Sequence, residues 1–218
     1  MQPLQALAAA LTVYGVVAVL LAADRNVRNR RAAAAGHLAV AVLLIVTAAL
    51  LWPVGTAIAT YDLARRGQPI ADLYFEQVEP ARFRVTLTRL PAGRMQVFDI
   101  HGDAWRLDAR TLTWQGWARD LGGDPRYQLD RLTGLATTGD AADPQPLATY
   151  DLADRRGVEF WQRVRSREQW RRIVDARQVY GANVPMIDGA RFLVTFDDLA
   201  LGTQPANAAA IAAGIAEK

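Results

Sequence analysis

Two long stretches without a charged residue lie within the first 61 residues of this 218-residue chain. Residues 4–23 and residues 37–61 contain no Asp, Glu, Lys or Arg. Twenty helical residues span about 30 Å, which is the thickness of the hydrocarbon core of a bilayer. The sequence therefore predicts two transmembrane helices, 4–23 and 37–61, joined by residues 24–36 into a hairpin that occupies residues 1–66. A cleaved signal peptide is the alternative interpretation of the first stretch, but this stretch is long for one and no Lys or Arg precedes it.

The segment between the two stretches predicts the orientation of the hairpin. It carries four arginines, Arg25, Arg28, Arg30 and Arg31. Its single acidic residue is Asp24, and short loops rich in Arg remain on the cytoplasmic side of a membrane. Arg65 and Arg66 follow the second stretch and reduce this asymmetry. We expect a two-pass protein of a bacterial inner membrane, with residues 67–218 in the periplasm.

The apolar stretches lack the groups that ion-coupled transport requires. Charged residues at membrane depth are kept in transporters for their function, and neither stretch has one. Thr12, Tyr14 and Thr47 are the notable polar residues, and each is expected to bond a backbone carbonyl or a neighbouring helix. Two helices also do not enclose a pathway by themselves. The sequence argues against a self-sufficient pump.

Residues 67–218 have the composition of a water-exposed domain rich in arginine. The chain has a net charge of +3 and a pI near 9.6, but no basic face with base-stacking groups that would indicate nucleic-acid binding. It has no cysteine, which excludes disulfides, thiolate metal sites and cysteine nucleophiles.

Alternation of apolar and polar residues predicts a mainly antiparallel sheet or small barrel. Residues 82–100 read as a hairpin whose turn is LPAGR, and residues 127–137, 146–152 and 190–196 as further strands. Residues 157–177 read as an amphipathic helix packed on the sheet, and residues 204–217 as a weak terminal helix. The predicted fold class is α+β.

Three tryptophans raise the question of a binding surface. Trp105 and Trp114 lie in strand-like sequence whose apolar phase slips by one residue, and Trp117 follows a glycine. A bulge or tight turn at 109–111 would keep Trp105 and Trp114 on the core side, because a one-residue slip exchanges the two faces of a strand. We expect these tryptophans to fill the core; an exposed aromatic stripe is the alternative.

The segments GDAWRLDARTLTWQGWA, YQLDRLTG and VYGANVPMIDGARFLVTF…QPANAAA carry a resemblance to a known family. The chain resembles small proteobacterial inner-membrane proteins commonly labelled "cation/multidrug efflux pump" or "multidrug transporter". The resemblance covers about Pro69 to Ala210, and the helical hairpin is similar in layout. This chain differs from the family after RLTG, where members tend to have an Arg-aromatic pair and this chain has LATT. The resemblance implies an envelope or efflux context and supplies no catalytic residues.

Carboxylates and histidines give no pattern of a catalytic or metal site. Asp99, His101 and Asp103 would share one face of an extended strand, which rarely brings three ligands to one metal ion. Asp120, Asp124 and Asp130 lack the spacing of a calcium loop. No phosphate loop or nucleophile motif is present, and the chain has two histidines, His37 and His101. We predict a non-catalytic protein without a cofactor or metal.

The arginine-rich segment is the strongest candidate for binding. Its candidate residues are Arg163, Arg167, Arg171, Arg172, Trp161 and Trp170. Arginines on a helix face are commonly just solvated, but on a tethered domain they are also suited to anionic lipid headgroups. We expect a membrane-anchored binding or scaffolding module that contacts lipid headgroups or a protein partner in the envelope. The alternative is an accessory subunit of a multidrug or cation transport complex.

Overall fold

The structure is a computed structural model that describes residues 3–120, 124–137, 144–154, 160–197 and 200–212. The chain divides into two compact units: Met1–Tyr61 with Arg155–Arg163, and Asp62–Asp154 with Val164–Lys218. Two long apolar helices come first, and mainly antiparallel sheets with short helices follow. The protein is α+β, as the sequence predicts.

The two helices are longer at their charged ends than predicted. Helix α1 is Pro3–Val27 and helix α2 is Arg31–Ile58. Both are long and apolar enough to cross a membrane, with mean hydropathies of 2.3 and 2.4. The predicted connection over 24–36 is wrong, because only residues 28–30 lie between the helices. Residues 32–35 are alanines, which favour the helix, so charge limits the apolar stretch but not the helix itself.

Small residues spaced seven apart form the contact between α1 and α2. The buried positions include Ala8, Gly15 and Ala22 in α1, and Ala34, Ala41, Ala48 and Gly55 in α2. A side chain on Gly15 would begin 2.7 Å from Cγ1 of Ile45, so the backbones approach closely there. A seven-residue repeat keeps one stripe of each helix against the other, and small residues allow the helices to pack tightly.

Strands of 2 to 12 residues make up most of the second unit in the described residues. Those in the described residues are β1 (Asp62–Leu63), β2 (Gln68–Glu79), β3 (Arg82–Arg89), β4 (Arg94–His101), β5 (Ala104–Trp114), β6 (Arg126–Ala136), β7 (Gln145–Asp151), β8 (Val174–Tyr180), β9 (Val184–Pro185), β10 (Arg191–Asp197) and β11 (Ala200–Pro205). The short helices are α3 (Trp117–Asp120), α4 (Phe160–Ser166), α5 (Glu168–Arg171) and α6 (Ala208–Ala212). The predicted hairpin 82–100 is confirmed as β3 and β4, and the other predicted strands appear within one or two residues of their expected bounds.

The strands form two antiparallel sheets rather than a barrel. The first sheet has the order β1-β6-β5-β8, with β7 also on β6 and β9 also on β5. The second sheet has the order β11-β10-β2-β3-β4. One hydrophobic core contains the alternating apolar side chains of both sheets. In it the Trp105 ring lies 5.3 Å from the Phe75 ring and 5.6 Å from the Phe192 ring.

The phase change predicted for β5 occurs on its neighbour, β6. Ala109 is the partner of Leu129 whereas Asp108 is the partner of Arg131, so Asp130 is an extra residue in β6. Strand β5 pairs with β8 without interruption from Asp108 to Trp114. The prediction of a bulge at 109–111 is therefore wrong, and β5 alternates throughout.

Two tryptophans of β5 consequently face opposite sides of the first sheet. Trp105 belongs to the core and is 1% exposed, which confirms its prediction. Trp114, nine positions later, points to the other face and is half-buried, so its prediction as a residue of this core is wrong. The prediction for Trp117 concerns a side chain that lies outside the described part of the structure.

The helix predicted over 157–177 is interrupted and ends early. Arg167 is extended, with φ −122° and ψ 115°, and separates α4 from α5. Residues from Val174 onward form β8 because they pair along β5. Tertiary pairing thus overrides the helical periodicity of this segment. The predicted terminal helix is confined to Ala208–Ala212 in the part that is described, and its remainder lies outside the described residues.

Candidate functional site

The exposed arginines lie on the segment that links α4, α5 and β8. Val164 is buried and Ile173 is half-buried, which anchors the segment at both ends. The backbone N–H of Gln115, at the end of β5, donates to the carbonyl of Ile173 over 2.8 Å. Between these two anchors lie the end of α4, the extended Arg167 and helix α5, and the charged side chains of this stretch are left at the surface.

All the arginines of this segment are exposed. They are Arg163, Arg165, Arg167, Arg171 and Arg172. The single acidic side chain between Phe160 and Ile173 is Glu168. Among the described residues, Arg167 and Arg172 have no carboxylate within ion-pair distance. We call Arg165, Arg167, Arg171, Arg172 and Trp170 the basic surface; its excess positive charge is not neutralised by Glu168 alone.

The two predicted tryptophans of this segment differ in exposure. Trp170 is 41% exposed and lies within the basic surface. Trp161 is 6% exposed, and Val164, which follows it by three positions and so shares its helix face, is buried as well. Trp161 therefore packs inside the protein and does not contribute to the surface. A depression of about 290 Å³ at α5 is lined by Glu168, Gln169 and Arg172.

A second group of charged residues is buried on the face of the first sheet opposite the core. The Nε atom of Arg110 lies 2.7 Å from a carboxylate oxygen of Asp130, and both side chains are nearly inaccessible. Nε2 of Gln178 donates to the other oxygen of Asp130 over 3.3 Å. Arg106 and Asp108 form a neighbouring pair at 3.0 Å, and burial raises the pKa of the Asp108 carboxyl above its usual range. Alternation along β5 places Arg106, Asp108 and Arg110 on the face opposite Trp105, but it carries no signal that this face is covered as well.

The structure does not bring Asp99, His101 and Asp103 together as ligands. Asp99 pairs with Arg82 and Arg84 on β3. Asp103 accepts hydrogen bonds from the backbone N–H and the hydroxyl of Thr137, which lower the pKa of its carboxyl. Among the described residues, no three His, Asp or Glu side chains are close enough to hold a metal ion.

The four arginines that predict orientation lie where the two long helices meet. Arg25 is in the last turn of α1, Arg28 and Arg30 are in the connection, and Arg31 begins α2. Arg28 pairs with Asp24 at 3.1 Å between exposed side chains. An exposed pair of this kind contributes little energy, so this end of the hairpin keeps its positive charge.

Comparison with known proteins identifies no relative: no family model, no curated protein and no solved structure matches this chain.

Proposed function

We propose that this protein is a membrane-anchored, non-catalytic binding module whose basic surface contacts anionic lipid headgroups. The observation that carries the proposal is the exposure of Arg167 and Arg172, which have no acidic partner in the described part of the chain, close in sequence to a partly exposed Trp170. Arginine attracts a phosphate group through its planar fork of donors, and tryptophan prefers the interfacial region of a membrane.

The electrostatic energy available to this surface is sufficient for contact with a membrane that is already close. Each cation near an anionic membrane surface contributes about 1 kcal/mol, and this attraction decays over about 8 Å at physiological salt. A free domain would lose much of this energy to association entropy. The domain of this chain is tethered, since β1 begins at Asp62 and α2 ends at Ile58.

The arginines between the helices support a particular orientation for the module. Arg25, Arg28, Arg30 and Arg31 would hold the connection in the cytoplasm and leave the second unit on the opposite side. In a bacterial inner membrane that side is the periplasm. An accessory role in an efflux or transport complex, as the family resemblance implies, is compatible with the same anchor and orientation.

The proposal is tested with the full chain in nanodiscs of neutral phosphatidylcholine or of phosphatidylcholine mixed with phosphatidylglycerol. Amide hydrogen exchange of residues 164–173 should be slower in the anionic discs, because headgroup contact orders the segment and shields it from water. High salt should remove the difference, as electrostatic attraction is screened.

Substitutions at two sites distinguish lipid contact by the basic surface from the general effect of lowering the positive charge of the protein. Arg167→Gln with Arg172→Gln should abolish the lipid-dependent protection, whereas Arg94→Gln, an exposed arginine on β4, should leave it unchanged. Equal exchange in the two kinds of disc would show that these arginines are only solvated, and the proposed lipid contact would be rejected.

A further inference from the structure

Strand β4 is an edge of the second sheet. It pairs with β3 along its whole length, from Arg94 to His101, and with no other strand in the described part of the chain. An edge strand presents unpaired backbone donors and acceptors, which other polypeptides are able to join. Natural proteins normally cover or block such an edge, so a part of β4 that is left uncovered is a candidate binding site for another polypeptide.

The backbone groups of alternate β4 residues point to the free edge. The N–H of Leu90 donates to the carbonyl of Ile70 on β2, so even-numbered residues of β3 bond to β2 and odd-numbered residues bond to β4. The partners of those odd-numbered residues on β4 are even-numbered. The N–H and C=O groups of Met95, Val97, Asp99 and His101 are therefore directed away from β3.

One half of this edge is closed and the other half is open. The hydroxyl of Tyr150 donates to the carbonyl of Asp99. Gly134 lies so close to the carbonyl of His101 that a side-chain carbon on residue 134 would clash with this oxygen. Met95 and Val97, by contrast, are 66% and 56% exposed. The open segment is therefore residues 94–97, whose outward backbone groups belong to Met95 and Val97.

Two arginines lie at the open end: Arg94 has no carboxylate within ion-pair distance among the described residues, whereas Asp62 and Asp154 partly offset the charge of Arg89. Arg89 and Arg94 are directly opposite each other on β3 and β4, an arrangement that like charges destabilise. The Arg89 guanidinium donates to the side-chain carbonyl of Gln96 and to the backbone carbonyl of Leu152, over 3.1 and 2.6 Å. Burial, and then the charge of Arg94, lower the pKa of Arg89. An incoming carboxylate would relieve this repulsion.

We propose that the open half of β4 binds an extended acidic peptide segment of a partner protein by strand addition. The backbone groups of Met95 and Val97 bond to the peptide, and Arg94 with Arg89 binds its carboxylates. Because directly opposed residues share a face, peptide side chains beside Met95 and Val97 are apolar. Those beside Arg94 and Gln96 are on the other face and are acidic. The recognised segment therefore alternates apolar and acidic residues.

Charge favours such a partner over a second copy of this chain. Antiparallel pairing of β4 with β4 of another copy would add two further arginines to a region where Arg89 and Arg94 already repel each other. An acidic strand satisfies the same backbone groups and removes the repulsion. Main-chain bonds give affinity in strand addition and the alternate side chains give specificity.

The test uses the full chain in a non-ionic detergent and a blocked, dye-labelled peptide in which valine and glutamate alternate. Fluorescence anisotropy should show saturable binding, and the same peptide with lysine in place of glutamate should bind at least about tenfold more weakly. Val97→Pro should weaken binding of the glutamate peptide by about tenfold or more, because it removes the outward donor. Proline is tolerated at an edge position, so the fold should be retained.

Matched variants separate recognition from damage to the fold. Val97→Thr keeps a β-branched side chain and the N–H, and should bind as the natural chain does. Arg94→Glu should reverse the preference and bind the lysine peptide more tightly. All variants should keep the circular dichroism spectrum of the natural chain. The proposal would be overturned if Val97→Pro bound the glutamate peptide as the natural chain does, or if the natural chain showed no preference between the two peptides. It would also be overturned if the chain formed a dimer in detergent that Val97→Pro dissociates, and that result would assign the edge to a second copy.

Discussion

Trp105 is the largest side chain that the core buries almost completely, and it contacts the rings of Phe75 and Phe192. Trp105→Ala should lower the free energy of unfolding by about 3–5 kcal/mol, through lost burial and the cavity that remains. Trp114→Ala is the matched control, because Trp114 is on the same strand but half-buried on the opposite face, and its loss should be clearly smaller. Chemical denaturation of the two variants measures this difference, and equal losses would contradict the assignment of faces.

Asp103 gives a stability contribution that depends on pH. Thr137 donates to its carboxylate from the backbone N–H at 2.8 Å and from the hydroxyl at 2.5 Å. These bonds lower the folded-state pKa below the ordinary value of 3.8. The stabilisation is therefore present above that value and is lost as pH falls through the lower folded-state pKa.

Asp103→Asn should consequently destabilise the protein near pH 7 and have a progressively smaller effect as the pH falls below about 4. Denaturation curves of the variant and the natural chain at each pH provide the measurement. Asp124→Asn serves as the control, because Asp124 is exposed and has no bonded partner in the described chain. A difference for Asp103→Asn that stays constant with pH would contradict this account.

Residue-scale prediction succeeded where alternation alone determines burial and failed where a neighbouring strand intervenes. The apolar alternation around Trp105 is visible in the sequence, and it correctly indicated a core position. The extra residue at Asp130 has no equivalent signal, because it is defined by pairing with β5. The burial of Asp108 and Arg110 also depends on what covers the second face of the sheet, which the periodicity of one strand does not contain.

At the scale of elements, the close contact of α1 with α2 depends on small residues. Gly15→Leu should destabilise the hairpin, since even the first side-chain carbon would lie 2.7 Å from Ile45 and 3.5 Å from the carbonyl of Ala41. Gly36→Leu makes the same change in helix α2, where nothing lies within 4 Å of the new carbon. Both substitutions replace glycine by a better helix former, so the difference between them isolates packing.

Thermal unfolding in a non-ionic detergent, followed by circular dichroism, compares these two variants. Gly15→Leu should melt at a lower temperature than the natural chain, and Gly36→Leu should melt at the same temperature or a higher one. Equal melting temperatures for both variants would mean that the helices do not pack along this stripe.

The bounds of the elements were predictable only in part. Helix α2 extends back to Arg31 because alanine continues it, whereas hydropathy placed its start at residue 37. The seven-residue spacing of Ala34, Ala41 and Ala48 was present in the sequence and would have predicted the helix contact. The break at Arg167 was not predictable, since helical periodicity runs through it and the pairing of β8 with β5 ends the helix.

At the scale of the whole molecule, the two proposals place different demands on the second unit. The proposed lipid contact would use side chains of residues 165–172, whereas the proposed protein contact would use the backbone of Met95 and Val97. The two regions are separate along the chain, so the Arg167 and Arg172 substitutions should not change peptide binding. A module that binds a membrane and a protein independently would function as a scaffold, and the tether at Asp62 would hold both activities close to the bilayer.

Orientation decides which side of the membrane that scaffold serves. Because arginines are concentrated between α1 and α2, an alkaline phosphatase fused after Lys218 should be active, since this enzyme folds only outside the cytoplasm. The same phosphatase inserted after Arg30, in the short connection of the helices, should be inactive. Replacing Arg25, Arg28, Arg30 and Arg31 by glutamine should reduce the activity of the C-terminal fusion, because Arg65 and Arg66 then carry the remaining positive charge near the helix ends. Activity of the Arg30 insertion together with an inactive C-terminal fusion would reverse the orientation, and the partner of β4 would then be a cytoplasmic protein.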